Sequence, residues 1–218
     1  MGKSFCIRSF GCQMNKLDSS LVVNSFMAAG FELVEQPVQA NIVLVNTCSV
    51  RNHAEERVLS LLGHLKHIKK NRPEMIVAVF GCMAQRLKND LLGHEAVNIV
   101  CGPLQIPQLV NLVNTTLGRV KKQSDISNDI RGKPSQDQLQ ELDNFEYNYD
   151  TANDNLPAQA YVRVMHGCDK FCSYCVVPYV RGPEVSRSPE KIIAQIKKLA
   201  DIGIKQITLL GQTVNSYC

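Results

Sequence analysis

The sequence predicts an α/β protein, in which a doubly wound parallel sheet is followed by the beginning of a second α/β unit. Apolar runs alternate with helical patterns throughout residues 1–118, and this alternation implies a parallel sheet covered on both faces. After a polar stretch, the order strand, loop, helix, strand appears from residue 160 onward. The chain has 218 residues, which is enough for one or two domains of this kind.

The elements of residues 1–118 follow from their local patterns. The first helical pattern is stopped by Gly30, and the second ends in basic residues that suit the helix dipole. The predicted strands are 5–10, 31–35, 42–46, 76–80 and 97–100. The predicted helices are 15–29, 51–70, 84–92 and 104–117.

Residues 119–158 interrupt this pattern because they are polar and lack apolar periodicity. We predict that they form a linker, partly ordered at most. Within it, Leu139, Leu142 and Phe145 are spaced to form a short helical turn that docks on a neighbouring element.

The second unit is predicted to occupy residues 159–218. It begins with a strand at 160–165 and ends with a strand at 206–210. The helix between them has Ser188 as N-cap and Pro189 at its first position, and it ends near residue 201.

Composition restricts the setting in which the protein works. The N-terminus lacks the apolar segment of a secretory signal, and no stretch approaches the length of a membrane span. The chain has nine cysteines, and an odd number without a secretory signal argues against a disulfide framework. The net charge of +4 permits a polyanionic partner without requiring one. We expect a cytoplasmic protein with no membrane association.

Three cysteines are close together in one loop of the second unit, at Cys168, Cys172 and Cys175. No fourth cysteine lies in this loop, so three thiolates would ligate three irons of a four-iron cluster and leave the fourth iron open. The alternative is a zinc knuckle, which needs a fourth tetrahedral ligand. His166 is the nearby candidate for that ligand.

Three further cysteines follow predicted strands of the N-terminal sheet. Cys12, Cys48 and Cys82 each stand between a strand and the next helix, and such junctions of a parallel sheet meet at its carboxyl edge. They are therefore candidates for a second iron–sulfur site, although three unrelated buried cysteines would give the same pattern. The same logic would also place Cys101 at this edge. We assign no role to the two remaining cysteines, Cys6 and Cys218.

The motifs around these cysteines resemble those of one enzyme family. The loop at residues 167–187 resembles the radical S-adenosylmethionine (SAM) enzymes, in particular the methylthiotransferases. GCQMN at 11–15, NTCSVR at 46–51 and GCMA at 81–84 resemble the three cysteine motifs of that family's N-terminal domain. Cys101 matches no ligand position of the family.

The resemblance implies two [4Fe-4S] clusters and SAM as cofactors. Cys168, Cys172 and Cys175 would hold the cluster whose open iron binds SAM, and this cluster would generate the radical. The other three cysteines would hold an auxiliary cluster that delivers sulfur; they are Cys12, Cys48 and Cys82. The second unit would then be the first βαβ portion of a radical SAM barrel, a partial TIM-type barrel.

The substrate that the resemblance implies is transfer RNA. The motifs resemble those of enzymes that insert a methylthio group at C2 of N6-isopentenyl-adenosine, in the anticodon stem-loop. A reductant such as flavodoxin or ferredoxin would be a further partner. Alternatives are enzymes acting on threonylcarbamoyl-adenosine or on a ribosomal protein, and a non-catalytic iron–sulfur or sulfur-carrier module. Because a βα barrel takes roughly 250 residues, we expect an N-terminal fragment that lacks most of the barrel and a TRAM-type RNA-binding domain.

Gln212 and Asn215 lie where radical SAM enzymes contact the SAM amino group, so the resemblance implies that they bind this cofactor. Capping of a strand end is the alternative for both residues. Between them, Thr213 stands where the family usually has Asn. No catalytic side chain is assigned.

Four other residues of the loop region are candidates for a role at the site. Phe171 and Tyr174 are placed to shield the cluster or to pack near SAM, with ordinary loop packing as the alternative. Arg181 and Arg187 are candidates for pairing with phosphate or carboxylate, or for a structural ion pair.

Overall fold

The structure is a computed structural model that describes residues 3–50, 52–117, 122–147 and 158–218. Of Asn52 only the backbone is described. The chain divides into two compact units, Met1–Asn128 and Asp129–Cys218.

The first unit is built on a six-stranded, entirely parallel sheet with the strand order β2-β1-β3-β4-β5-β6. The central strands are buried along their whole length, as expected for a parallel sheet covered on both faces. The strands are β1 Ser4–Ser9, β2 Glu32–Leu33, β3 Ile42–Thr47, β4 Ile76–Gly81, β5 Ile99–Cys101 and β6 Gln123–Asp125.

Helices cover both faces of this sheet, which confirms the doubly wound fold. The helices are α1 Gln13–Ala28, α2 Asn52–Asn71, α3 Cys82–Gly93 and α4 Leu109–Thr116. Side chains of α2 and α3 form one core with alternate residues of β3 and β4, among them Val43 and Val77. Because strand side chains alternate between faces, Ile42 and Leu44 point to the other face. There α1 contacts β1 and β3, and α4 contacts β4 and β5.

The strand order changes direction between β1 and β3. The chain passes from β1 to β2 on one side and from β3 outward to β4, β5 and β6 on the other. In open α/β sheets, ligands bind in the crevice outside the carboxyl ends of the strands at such a switch point. Two of the candidate cysteines follow the two strands that flank it.

Some predicted boundaries differ from the structure. The helix predicted at 104–117 is a 3-10 helix over Pro103–Gln108 followed by α4, because Pro107 inside it provides no N–H and disfavours an α-helix. The strand predicted at 97–100 begins later, at Ile99, because the side chain of Asn98 accepts the Val77 N–H at 3.0 Å. Arg51, the predicted first residue of α2, lies outside the described residues.

The described residues within the predicted linker 119–158 contain two regular elements, so this part of it is more ordered than predicted. β6 extends the sheet by parallel pairing with β5, and α5 (Gln136–Tyr147) is a three-turn helix in the second unit. β6 was missed because it is polar and is held by backbone pairing. The predicted helical turn is confirmed as part of α5, in which Leu142 is buried. Residues 119–121 and 148–157 of the predicted linker lie outside the described residues.

The second unit contains the predicted strand, loop, helix and strand. β7 (Gln159–Arg163) pairs in parallel with β10 (Gln206–Leu210), and α7 (Pro189–Asp201) connects them. Ser188 caps α7 by accepting the Lys191 N–H at 3.4 Å, as predicted. The predicted strand 160–165 continues into β8 (Met165–His166), which pairs with β9 (Val185–Ser186) in antiparallel fashion. The short helix α6 (Val177–Val180) lies between β8 and β9.

Among the described residues, no helix combines the length and the apolar character that crossing a membrane requires.

Candidate functional site

The structure brings three cysteines together at the carboxyl edge of the first unit's sheet. Cys12 is the N-cap of α1 after β1, Cys48 follows β3, and Cys82 is the first residue of α3 after β4. These strands are neighbours in the sheet. The thiols of Cys12 and Cys48 are hydrogen-bonded to each other, and Cys48 also interacts with Cys82. We call Cys12, Cys48 and Cys82 the edge group.

The edge group is open to solvent on one side. Cys12 is exposed, whereas Cys48 and Cys82 are 2% and 3% exposed. The hydrogen bond with Cys12 and burial raise the pKa of Cys48 well above its ordinary value, while the Val50 N–H, 3.4 Å from its sulfur, acts in the opposite direction. Cys48 therefore holds its proton in this arrangement, and metal binding would release it.

The turn before Cys82 requires glycine. Gly81 has φ +100°, and a Cβ there would lie 2.5 Å from the carbonyl oxygen of Thr47. This close approach lets β4 pass directly into α3, so that Cys82 stands at the end of the strand beside Cys48.

The second group of cysteines lies on the loop between β8 and β9. Cys168 is 8% exposed, Cys175 is half-buried, and Cys172 is exposed. Two backbone hydrogen bonds hold the loop: Cys168 N donates to Gly182 O at 3.1 Å, and within the motif Cys175 N donates to Cys172 O at 2.9 Å. We call Cys168, Cys172 and Cys175 the loop group.

Glycine and aromatic residues shape this loop. Gly167 has φ +68°, and a Cβ there would lie 1.9 Å from Pro183 O, so the strands that flank the loop can approach only with glycine. Phe171 packs edge-on against Tyr179, with ring centroids 6.0 Å apart. Tyr174, between two cysteines, is 91% exposed. It therefore does not contribute to packing within the loop.

His166, the candidate for the fourth ligand of a zinc site, lies beside a carboxylate of the same unit. It is buried, and its Nε2 lies 3.7 Å from Oε1 of Glu146. Burial, together with the nearby guanidinium groups of Arg163, Arg181 and Arg187, holds the pKa of His166 well below its ordinary value. The histidine that a zinc knuckle would need as its fourth ligand therefore has its Nε2 next to the carboxylate of Glu146.

Thiols are the donors that both groups offer to a metal ion or a cluster. Across the described ranges, no three cysteine, histidine, aspartate or glutamate side chains are gathered closely enough to hold one metal ion. A four-iron cluster is ligated by thiolates at separate irons, so its ligands stand farther apart than those of one ion. All nine cysteines are free, and each group offers three sulfur donors.

The residues predicted to bind SAM lie after β10. Thr213, which follows Gln212, contacts the loop group: its Oγ1 lies 3.0 Å from Sγ of Cys168. Oε1 of Gln212 is buried and has no hydrogen-bond partner among the described residues. An orphaned acceptor beside the loop group fits an ammonium donor. Asn215 is exposed in the 3-10 helix Val214–Ser216.

Of the two alternatives given for the candidate arginines, the structural ion pair is the one observed for Arg187. Arg187 is buried and forms structural ion pairs with Asp143 at 2.6 Å and Glu146 at 3.1 Å, so it is occupied within the unit. Arg181 is also buried.

The remaining cysteines have separate environments. Cys101 ends β5 but is fully buried, and burial and the nearby Asp125 raise the pKa of its thiol. Cys6 donates to Glu35 O at 3.3 Å, and Cys218 is exposed.

The sequence analysis missed the groups that contact the cysteine side chains. The Thr213 contact joins residues 45 positions apart, which no local pattern shows. Asn15 Oδ1 accepts hydrogen bonds from the Cys12 amide at 3.1 Å and from its thiol at 3.4 Å. The signal for Asn15 was its place in the first cysteine motif.

Two family models match the chain, one within each unit. The sequence model of a family described as “Uncharacterized protein family UPF0004” matches residues 4–102. That of the radical SAM superfamily matches residues 162–217.

Three similar curated proteins carry the name tRNA-2-methylthio-N(6)-dimethylallyladenosine synthase. The protein from Bacillus velezensis is 40% identical over 219 residues, which cover 99% of this chain and 40% of the relative. The protein from Rhodopirellula baltica is 40% identical over 218 residues, which cover 100% of this chain and 46% of the relative. The protein from Bacillus subtilis is 40% identical over 219 residues, which cover 99% of this chain and 40% of the relative. The chain thus spans less than half the length of these relatives.

Proposed function

Because this chain belongs to the family of the radical SAM methylthiotransferases, we propose that it acts in methylthiolation of transfer RNA. The substrate would be N6-isopentenyl-adenosine beside the anticodon, and the new group would be attached at C2. The names of the similar proteins support this substrate over the threonylcarbamoyl-adenosine and ribosomal-protein alternatives.

One observation carries the proposal: the chain holds two groups of three thiols, each within its own unit. The edge group lies at the switch point of a doubly wound sheet, and the loop group lies on a loop after β7, the first strand of the βαβ portion. Neither group has a fourth cysteine at hand. Each group would therefore leave one iron of a four-iron cluster open to another molecule.

The residues of the second unit would position SAM. When bound, the loop-group cluster would supply the electron that cleaves SAM, and the edge-group cluster would supply sulfur. Gln212 Oε1 would accept from the SAM ammonium, because it is buried without a hydrogen-bond partner among the described residues. Thr213 would hold Cys168 through its hydroxyl. The exposed ring of Tyr174 is free to cover a bound molecule.

The proposed partners are the anticodon stem-loop and a one-electron reductant such as flavodoxin or ferredoxin. The substrate is tested with the anaerobically reconstituted protein, at the length its gene encodes, by supplying SAM, reductant and isopentenylated tRNA. We expect mass spectrometry of the nucleosides to show the 2-methylthio product. Methylthiolation of a ribosomal protein or of threonylcarbamoyl-adenosine instead would contradict the proposal.

The ligand assignment is tested by iron analysis of the 218-residue chain after anaerobic reconstitution. We expect about eight irons per chain. Replacing all three cysteines of either group by Ala should remove half of the iron, whereas Cys101→Ala should remove none. One cluster in the parent chain, or tightly bound zinc, would refute the two-cluster assignment.

A further inference from the structure

A network of buried amides connects the three strand ends that carry the edge group. Asn15 and Asn46 are 1% and 0% exposed. Asn15 Nδ2 donates to Asn46 Oδ1 at 2.7 Å and to Thr47 O at 3.0 Å. In return, Asn46 Nδ2 donates to Asn15 O and to Ser19 Oγ, both at 2.9 Å. Both amides therefore donate and accept within the network.

Each end of the network reaches a cysteine or a residue close to one. Asn15 Oδ1 accepts from the Cys12 amide at 3.1 Å. Asn46 and Thr47 directly precede Cys48. Thr47 Oγ1 donates to Phe80 O at 2.7 Å, two residues before Cys82. One connected set of hydrogen bonds thus runs through all three junctions of the edge group.

Such a network restricts the direction of the chain after each strand end, which the sheet alone does not fix. The sheet fixes the strands, but the direction of the chain after each strand end depends on the junction. Buried amides must be hydrogen-bonded, so any movement of one junction would break bonds in the others. The side chains in the network are also neutral and add no charge beside the thiols.

We propose that Asn15, Asn46 and Thr47 are positioning residues, which hold the edge group in the arrangement that ligates one cluster. This inference rests on the proposed ligand role of the edge group. Groups that orient metal ligands typically change metal affinity or activity by about 10–100-fold when they are replaced.

The experiment uses the 218-residue chain with Cys168, Cys172 and Cys175 replaced by Ala, so that only the edge group can bind a cluster. Into this background we introduce Asn46→Ala. The matched control is Asn98→Ala, because Asn98 is also buried and accepts a backbone N–H at 3.0 Å. Asn98 directly precedes β5 and so lies at the amino end of the strands, away from the edge group. The readouts are the rate of iron loss to a chelator, the EPR spectrum of the reduced cluster and the thermal unfolding midpoint.

A gentler pair of variants covers the case in which Asn46→Ala does not fold. Thr47→Val removes only the hydroxyl that reaches Phe80 O. Thr116→Val is its control, since Thr116 is fully buried and donates to Leu112 O at 2.8 Å in α4. Asn15→Ala then tests the connection to Cys12.

We expect the Asn46 and Thr47 variants to lose iron about tenfold faster than their controls at comparable stability, with a changed EPR spectrum. Equal rates for a variant and its control would show a merely structural role and overturn the positioning proposal. If the background with its native amides holds no cluster, the proposed ligand role of the edge group fails, and the positioning proposal fails with it. The two failures are thereby distinguished.

Discussion

Thr213 connects two parts of the second unit through one hydroxyl. Its Oγ1 lies 3.0 Å from Sγ of Cys168, at the position where related motifs usually carry Asn. Both side chains can donate a hydrogen bond to sulfur. Hydrogen bonds to ligand sulfurs are among the factors that set the reduction potential of an iron–sulfur cluster. Thr213 is therefore placed to favour the reduced, more negative form of the cluster that we propose the loop group holds.

We predict that Thr213→Val lowers the reduction potential of this cluster by about 30–60 mV. A typical hydrogen bond contributes about 1 kcal/mol, and 59 mV corresponds to about 1.4 kcal/mol for one electron. Thr213→Ser should keep the parent potential because it retains the hydroxyl. The measurement is an EPR-monitored redox titration in a chain whose edge group is replaced by Ala. Identical potentials for the Val and Ser variants would contradict the assignment.

At the residue scale, sequence reasoning located the edge group but not its surroundings. The positions of Cys12, Cys48 and Cys82 follow from the strand ends, because parallel strands end at one edge. The same rule overpredicted Cys101, since position along a strand does not reveal that the thiol is fully enclosed. The contact between Thr213 and Cys168 depends on the packing of two distant segments, which no local pattern contains.

Among the elements, α5 is held to its unit by buried charges. Glu146 is fully buried, and its carboxylate lies 3.1 Å from Nη1 of Arg187 and 3.4 Å from Nη1 of Arg163. Asp143, one turn earlier, pairs with Arg187 at 2.6 Å. Gln195 of α7 donates to Glu146 O at 3.0 Å. These contacts fix α5 beside β7 and α7.

We predict that Glu146→Gln destabilises the second unit by about 3 kcal/mol, because it removes the buried negative charge that faces the guanidinium groups of Arg163 and Arg187. Asp137→Asn is the matched control, since Asp137 is exposed in the first turn of the same helix. Chemical unfolding measures the change, and hydrogen exchange shows whether α5 opens first. A Glu146 variant as stable as the control would mean that packing alone holds α5.

The elements that were predicted correctly are those whose own residues determine them. β3 and β4 are continuously apolar, and α7 begins with its cap at Ser188. β6 was missed, and α5 was predicted only as a short helical turn, because their stability comes from partners distant in sequence. β6 pairs through its backbone with β5, and α5 depends on arginines of β7 and the segment before α7.

At the scale of the whole molecule, each cysteine group is supplied by a single unit. The edge group comes from the unit Met1–Asn128 and the loop group from the unit Asp129–Cys218. The two family models match these units separately. We therefore expect that replacing the cysteines of one group leaves the fold of the other unit and its cysteines intact.

This division predicts that the two chemical roles are separable. In the protein at the length its gene encodes, Cys12→Ala, Cys48→Ala and Cys82→Ala together should leave the loop group able to support cleavage of SAM. The same variant should form no methylthio product, because the proposed source of sulfur is lost. Chromatography of one anaerobic reaction measures 5′-deoxyadenosine and the methylthio nucleoside side by side.

Cys6→Ala, which changes a buried thiol of the same unit, is the control and should keep both products. If 5′-deoxyadenosine disappears while spectroscopy still shows the loop-group cluster, the roles are coupled. Unchanged methylthiolation would leave the edge group as two buried thiols and one exposed thiol without a part in the reaction.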